Sequence, residues 1–337
     1  MHRRKWLLFG LILLFSVIVV AGCGGNNDEE QPDPNPQNGN NQGEALDINA
    51  LTAQWADSSH SNILLSPAQR DNCVVCHDGG AFAMNQTEIA ELERDFFISI
   101  DCRACHTGQG VELMEAGTVT LPTAENVDGG LGALCMSCHN SRKVPNIDDE
   151  GRSAPHYSSQ ADIASGTGGI RIEGFEYGNT SAHVNIDDTC IGCHMMETEE
   201  GFASHTFKVD SIEDACSQCH QDITDANLEA GGDYDGDGNT EGFQTEVEGL
   251  LALLSETIAT ELDGGTFESG QGAVIFKDAS GTEMDEVPNE LYQAGYNHLL
   301  VSNDGSLGIH NPTLTVQLLQ QSYKALTGED VPGAEMK

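Results

Sequence analysis

Ten of the eleven cysteines fall into five copies of one pattern, two cysteines three apart followed at once by a histidine. The copies are Cys73, Cys76, His77; Cys102, Cys105, His106; Cys135, Cys138, His139; Cys190, Cys193, His194; and Cys216, Cys219, His220. At this composition a single copy would arise by chance in about one chain in 80. Five copies that use every cysteine but Cys23 are not accidental. Cys-x-x-Cys-His is the attachment signature of c-type haem: the two thiols form thioethers with the two vinyl groups of one porphyrin, and the histidine ligates the iron from below. Zinc sites pair such cysteines two by two, which would leave one of five unpartnered, and they do not require the histidine. Thiol redox pairs do not require it either. The pattern therefore predicts five covalent haems with His77, His106, His139, His194 and His220 as proximal ligands.

Successive first cysteines lie 29, 33, 55 and 26 residues apart. The five haems must consequently lie close together, which suits electron hopping and is unnecessary for a single-haem catalyst. Of the 12 histidines, six remain once the five proximal ones and His2 are set aside: His60, His156, His183, His205, His298 and His310. Five irons with one open axial position each would take five of these six. Counting alone leaves six choices.

At these motifs the chain resembles bacterial pentahaem c-type cytochrome lipoproteins, exported multihaem proteins with a helical C-terminal segment. The resemblance covers residues 50–330 and rests on further stretches: WADSSH at His60, SAPHYSSQADIASGTGG at His156, NTSAHVNIDDTCIGCHM at His183, SHTF at His205 and DGSLGIHNPTLTVQLLQ at His310. It implies that these five histidines are the distal ligands and that His298, in AGYNHLLV, is not. There is also a partial likeness to the ammonia-forming cytochrome c nitrite reductases. That family usually binds its catalytic haem through Cys-x-x-Cys-Lys, whereas all five motifs here end in histidine, and the chain is short for it.

The elements that must position these groups are mainly helices joined by extensive loop, with the haems as core. Residues 241–262 carry Val247, Leu250, Leu251, Leu254 and Ile258 on one face, the helical period. Residues 285–301 read as a second helix with Pro288 near its start. Asn311 is expected to cap a third, with Pro312 at its first position and Leu314, Leu318 and Leu319 facing inward. His310 stands just before that cap. Between the halves Asp233, Asp235 and Asp237 alternate and Gly238 follows, as at the start of a Ca²⁺ loop. Asn239 and Glu241 complete the candidate ligand set, with Gln244 where the bidentate Glu of such loops stands; Glu246 and Glu248 are substitutes, and a solvated acidic turn is the alternative.

The chain has 337 residues with 14 Lys plus Arg against 54 Asp plus Glu, a formal net charge of −40. That excludes binding nucleic acid by phosphate neutralisation. Aromatics are only 6% and glycines number 38, so a large cofactor rather than side-chain packing is expected to fill part of the core. Arg3, Arg4 and Lys5 precede an apolar run over residues 6–21, too short to span a bilayer as a helix and fitting for a signal peptide. Val20, Ala21, Gly22 and Cys23 resemble a bacterial lipobox, which implies lipidation of Cys23. The expected organisation is a signal peptide over 1–22, a disordered tether over 23–48 rich in Pro, Asn, Gly and Asp, a pentahaem domain over 49–225 and a helical region over 226–337. The expected function is electron transfer by an exported lipoprotein at the outer membrane, on its periplasmic or cell-surface face. Its partners would be other redox proteins or extracellular acceptors, and homo-oligomers are left open. The alternative is a reductase of nitrite or hydroxylamine with one open haem.

Overall fold

A computed structural model describes residues 47–148 and 151–337. The signal peptide, Cys23 and most of the tether lie outside the described residues. The chain is mainly helical, with two short antiparallel hairpins, Thr118–Leu121 with Ala124–Asp128 and Thr266–Gly270 with Ala273–Lys277. Neither hairpin was foreseen from the sequence. No helix among the described residues is long and apolar enough to cross a membrane.

The first half is a string of short helices, each stopped within three turns. Helix Ile48–Asp57 is capped by Asp47, whose carboxylate accepts Asn49 N at 2.9 Å and Ala50 N at 3.2 Å. The helices Val74–His77, Cys102–His106, Ala133–Cys138, Ile191–His194 and Ile212–Cys216 hold or lead into the five cysteine motifs. Asp101 and Ser211 cap two of them by accepting Arg103 N and Asp214 N, which satisfies amides that a short helix leaves free. Gly108, at φ +50°, is needed where it stands, because a Cβ there would lie 1.9 Å from the Ala83 carbonyl.

The C-terminal half is built on three long helices, Phe243–Glu261, Asn289–Asp304 and Pro312–Thr327, which pack on one another. Val247, Leu250, Leu254 and Ile258 are buried along one face of the first. The second begins at Asn289 instead of at 285: Pro288 is extended, with ψ 149°, and serves as the flanking residue. A proline also biases the residue before it away from helical geometry, so the start falls after it. The third starts as its sequence implies, with Asn311 accepting Leu314 N and Pro312 at the first helical position. Leu314, Leu318 and Leu319 are fully buried.

Loop residues between 151 and 180 are stitched to these helices by buried polar side chains. The Asn297 amide accepts Ile170 N at 2.8 Å and donates to Ile170 O at 2.9 Å. Ser159 Oγ donates to Leu300 O, and the Arg152 guanidinium lies 4.9 Å from the Tyr292 ring centre.

Candidate functional site

Each motif is one helical turn, and the reason is geometric. Two thiols three residues apart on a helix project from the same side, and the histidine one place further closes the turn. The amide of His77, His139, His194 and His220 donates to the carbonyl of the first cysteine of its own motif at 2.9–3.1 Å. The turn that carries both thiols and the imidazole is thus held by local backbone bonds.

What the local turn cannot supply is the group opposite. Every motif histidine faces a histidine from a distant part of the chain. His77 stands opposite His156, with ring centres 6.1 Å apart, and His139 opposite His60 at 6.1 Å. His106 faces His205 at 6.3 Å, His194 faces His310 at 6.2 Å, and His220 faces His183 at 6.3 Å. An iron midway between two imidazoles, with metal–nitrogen bonds of about 2.0 Å, separates the ring centres by about 6 Å. The five pairs fit that spacing. The sixth histidine, His298, has no motif histidine opposite it. Its ring meets Phe267 edge-on at 5.0 Å, and burial draws its pKa down to about 4.

Four of the five facing histidines are oriented through Nδ1, which leaves Nε2 free to point at a metal. His156 Nδ1 lies 2.8 Å from Ser158 Oγ, His183 Nδ1 2.6 Å from Ile309 O, and His205 Nδ1 2.8 Å from Ala203 O. His310 Nδ1 lies 2.6 Å from Asp304 Oδ1. Burial pulls His60 and His156 down to about 4, aided by the neighbouring His139 and, for His156, by Arg142 as well. Both are therefore neutral bases at physiological pH. His310 goes the other way: burial lowers it, but the bond to Asp304 and the charge of that carboxylate outweigh burial.

His310 is mounted by its neighbour. Asn311, fully buried, accepts Leu314 N and Thr180 N and donates to Ile163 O and Asn179 Oδ1. The cap thus ties the helix start to two other segments immediately beside the imidazole.

The thiols give the spatial order of the motifs. The Cys76 and Cys138 thiols act on each other, and so do those of Cys135 and Cys190. Cys105 acts electrostatically on Cys135 and Cys138, and Cys216 and Cys219 on Cys193. The third motif is therefore central, with the first, second and fourth against it and the fifth beyond the fourth. A cavity of about 290 Å³ lies where the first and third motifs meet, lined by Cys76, Cys138, Asn72 and Arg142.

At the acidic loop, carboxylate oxygens of Asp233, Asp235 and Asp237 lie within 4.8 Å of one another. The pKa of Asp235 is raised by burial and by the carboxylates of Glu246, Asp237 and Asp233. Glu241 lies outside this trio, and the Asn239 amide donates to Asp237. The buried Glu246 carboxylate accepts Tyr234 N and Glu241 N, so it braces both ends of the loop. A Cβ at Gly249 would meet Asp235 Oδ2 at 1.7 Å, so a larger residue there would push that carboxylate aside.

Two contributors were not singled out by sequence reasoning. Asp304 lies on the buried side of its helix, six residues before His310, and no local pattern marks it. Arg142 stands just past the third motif but acts on His77 and His156 of another pair.

The Cytochrome c552 family model matches residues 165–331. That segment includes the fourth and fifth motifs, the acidic loop and the three long helices. No curated protein matches the chain. Among solved structures, the outer cell wall cytochrome OcwA matches with a TM-score of 0.50 and 19% identity, over 81% of this chain and 50% of OcwA. The chain thus spans half the length of that relative. The fold is mainly helical and of multihaem cytochrome type. Together the motifs and these likenesses point to covalently attached c-type haem.

Proposed function

We propose that the chain is an electron conductor with five bis-histidine c-type haems, one at each motif. His60, His156, His183, His205 and His310 are the distal ligands in this reading. The observation that carries it is the pairing of every motif histidine with an imidazole at iron-bridging distance. An iron held between two imidazoles has no face open to substrate, so the haems pass electrons and bind nothing. The order of the thiols makes the path a line through the first, third, fourth and fifth haems, with the second as a branch at the third. A reductase of nitrite or hydroxylamine needs one open iron. Each of the five motif histidines has an imidazole facing it, which disfavours that reading.

An exported lipoprotein anchored through Cys23 at the outer membrane is the setting we propose, with other redox proteins or extracellular acceptors as partners. Covalent haem attachment and the lipobox support export, and OcwA is by its name an outer cell wall protein. Ca²⁺ at Asp233, Asp235 and Asp237, with Asn239 and Glu241 nearby, belongs to the same proposal. The three crowded carboxylates support it, since a divalent cation would relieve their mutual repulsion.

The test is haem stoichiometry and spin state of the exported, matured protein. Pyridine haemochrome should return about five haems per chain, and the spectrum should be entirely low-spin. His310→Ala should keep all five haems attached but open one iron, seen as a high-spin signal and carbon monoxide binding. Two or fewer haems, or a high-spin haem in the unaltered protein, would overturn the conductor.

A further inference from the structure

We propose that Asp304, through its hydrogen bond with His310, lowers the reduction potential of the haem of the fourth motif. This rests on His310 being the distal ligand of that haem. Four of the five facing histidines are hydrogen-bonded through Nδ1, and three of those partners are neutral: a serine hydroxyl at His156 and backbone carbonyls at His183 and His205. Among the motif histidines, His139 meets the Gln160 amide and His194 the Phe207 carbonyl. At His310 the acceptor is a carboxylate, at 2.6 Å, whose side chain is only 1% exposed. Among the described residues this is the one histidine paired with an acid.

The chemistry follows from the charge. A carboxylate that accepts the Nδ1 proton draws it away from the ring and makes Nε2 a stronger donor to the metal. A more basic axial ligand favours ferric over ferrous iron. Burial adds to this, because a fixed negative charge in a medium of low dielectric also favours the more positive oxidation state. Asp304 is held in place from its other oxygen, which accepts the hydroxyl and the amide of Ser306. The acceptor cannot swing out to water without breaking these bonds. The fourth motif lies between the third and the fifth, so the tuning acts on a haem within the line.

Asp304→Asn keeps the shape and offers a neutral amide oxygen. A charge-assisted hydrogen bond is about twice as strong as a neutral one, a difference of about 1.4 kcal/mol. One haem should therefore become about tenfold easier to reduce, an upward move of about 59 mV for a one-electron couple. A potentiometric titration should show one of five components rise and four stay. One set of low-spin electron paramagnetic resonance g-values should change, with haem content unaltered. Asp304→Glu, which keeps the charge, should restore the original component. Asp304→Ser, which offers a neutral hydroxyl as at His156, is the second variant should the first fail to mature. Ser306→Ala removes the brace but not the charge and should leave all five potentials nearly in place. If His310→Ala opens an iron and Asp304→Asn and Asp304→Ser both leave all five components unmoved, the tuning role falls and the ligation stands. If His310→Ala opens no iron, the ligand assignment itself has failed.

Discussion

Between residues 47 and 148, the buried apolar clusters are small. One gathers Val74, Ala81 and Leu92; another gathers Val119, Leu121, Ala133 and Met136, joined by Ala161. From residue 230 onward a single cluster joins three helices around Leu250, Leu254, Ile258, Tyr292, Tyr296, Leu300, Leu314, Leu318 and Leu319, most of them fully buried. The two regions have comparable amounts of chain to fold and very different amounts of apolar side chain to bury. Three of the five cysteine motifs lie in the first region, the other two lie at 190–194 and 216–220 between the regions, and none lies in the second. The contrast teaches where the structure's cohesion resides: cofactors take the place of leucines in the first region, and leucines suffice in the second. It also explains a composition with only 6% aromatics.

The most disruptive test of this contrast is to withhold a central cofactor. Replacing Cys135 and Cys138 together by Ala should cost the first region most of its amide-exchange protection, since the first, second and fourth motifs all rest against the third. The three long helices should keep theirs. Equal loss in both regions would mean that they do not differ in this way.

Core truncation should show the converse. Leu254→Ala should destabilise by about 2–5 kcal/mol in denaturant titration, the usual cost of a buried leucine. Leu121→Ala, in one of the small clusters, should fall at or below the low end of that range. A reversed order would show that the thin cluster is the tighter one.

His298 sharpens the comparison at a single residue, because it belongs to the second region and has no motif histidine facing it. His298→Ala should leave all five irons low-spin and unreactive to carbon monoxide. Any high-spin haem in that variant would place His298 at an iron and undo the assignment of His310.

A modest effect is expected at the acidic loop, at the start of the second region. Free Ca²⁺ at ten times its dissociation constant should stabilise the folded chain by about 1.4 kcal/mol, read as a rise in Tm that Asp235→Asn abolishes. An equal rise in the variant would show general charge screening instead of a site.

Much of the architecture was legible because it is local. The Asn311–Pro312 helix start, the buried face of Phe243–Glu261 and the inward Leu314, Leu318 and Leu319 follow from caps and periods that span a few residues. The second helix was placed four residues too early, because its periodicity was allowed to run back through Pro288. The two hairpins escaped notice because their strands have only four or five residues each, too few for alternation to declare itself.

The sequence by itself determined the chemistry of the five motifs, since two thiols and an imidazole within one helical turn need no help from elsewhere in the chain. It also narrowed the remaining histidines to six. Only the tertiary structure decided which imidazole stands opposite which, that the third motif is central, and that, among the described residues, a buried carboxylate reaches His310 alone. Those are contacts between segments far apart in the chain. Their spacing in sequence carries no record of their distance in space, whereas backbone hydrogen bonds fix the geometry of a single turn wherever it occurs.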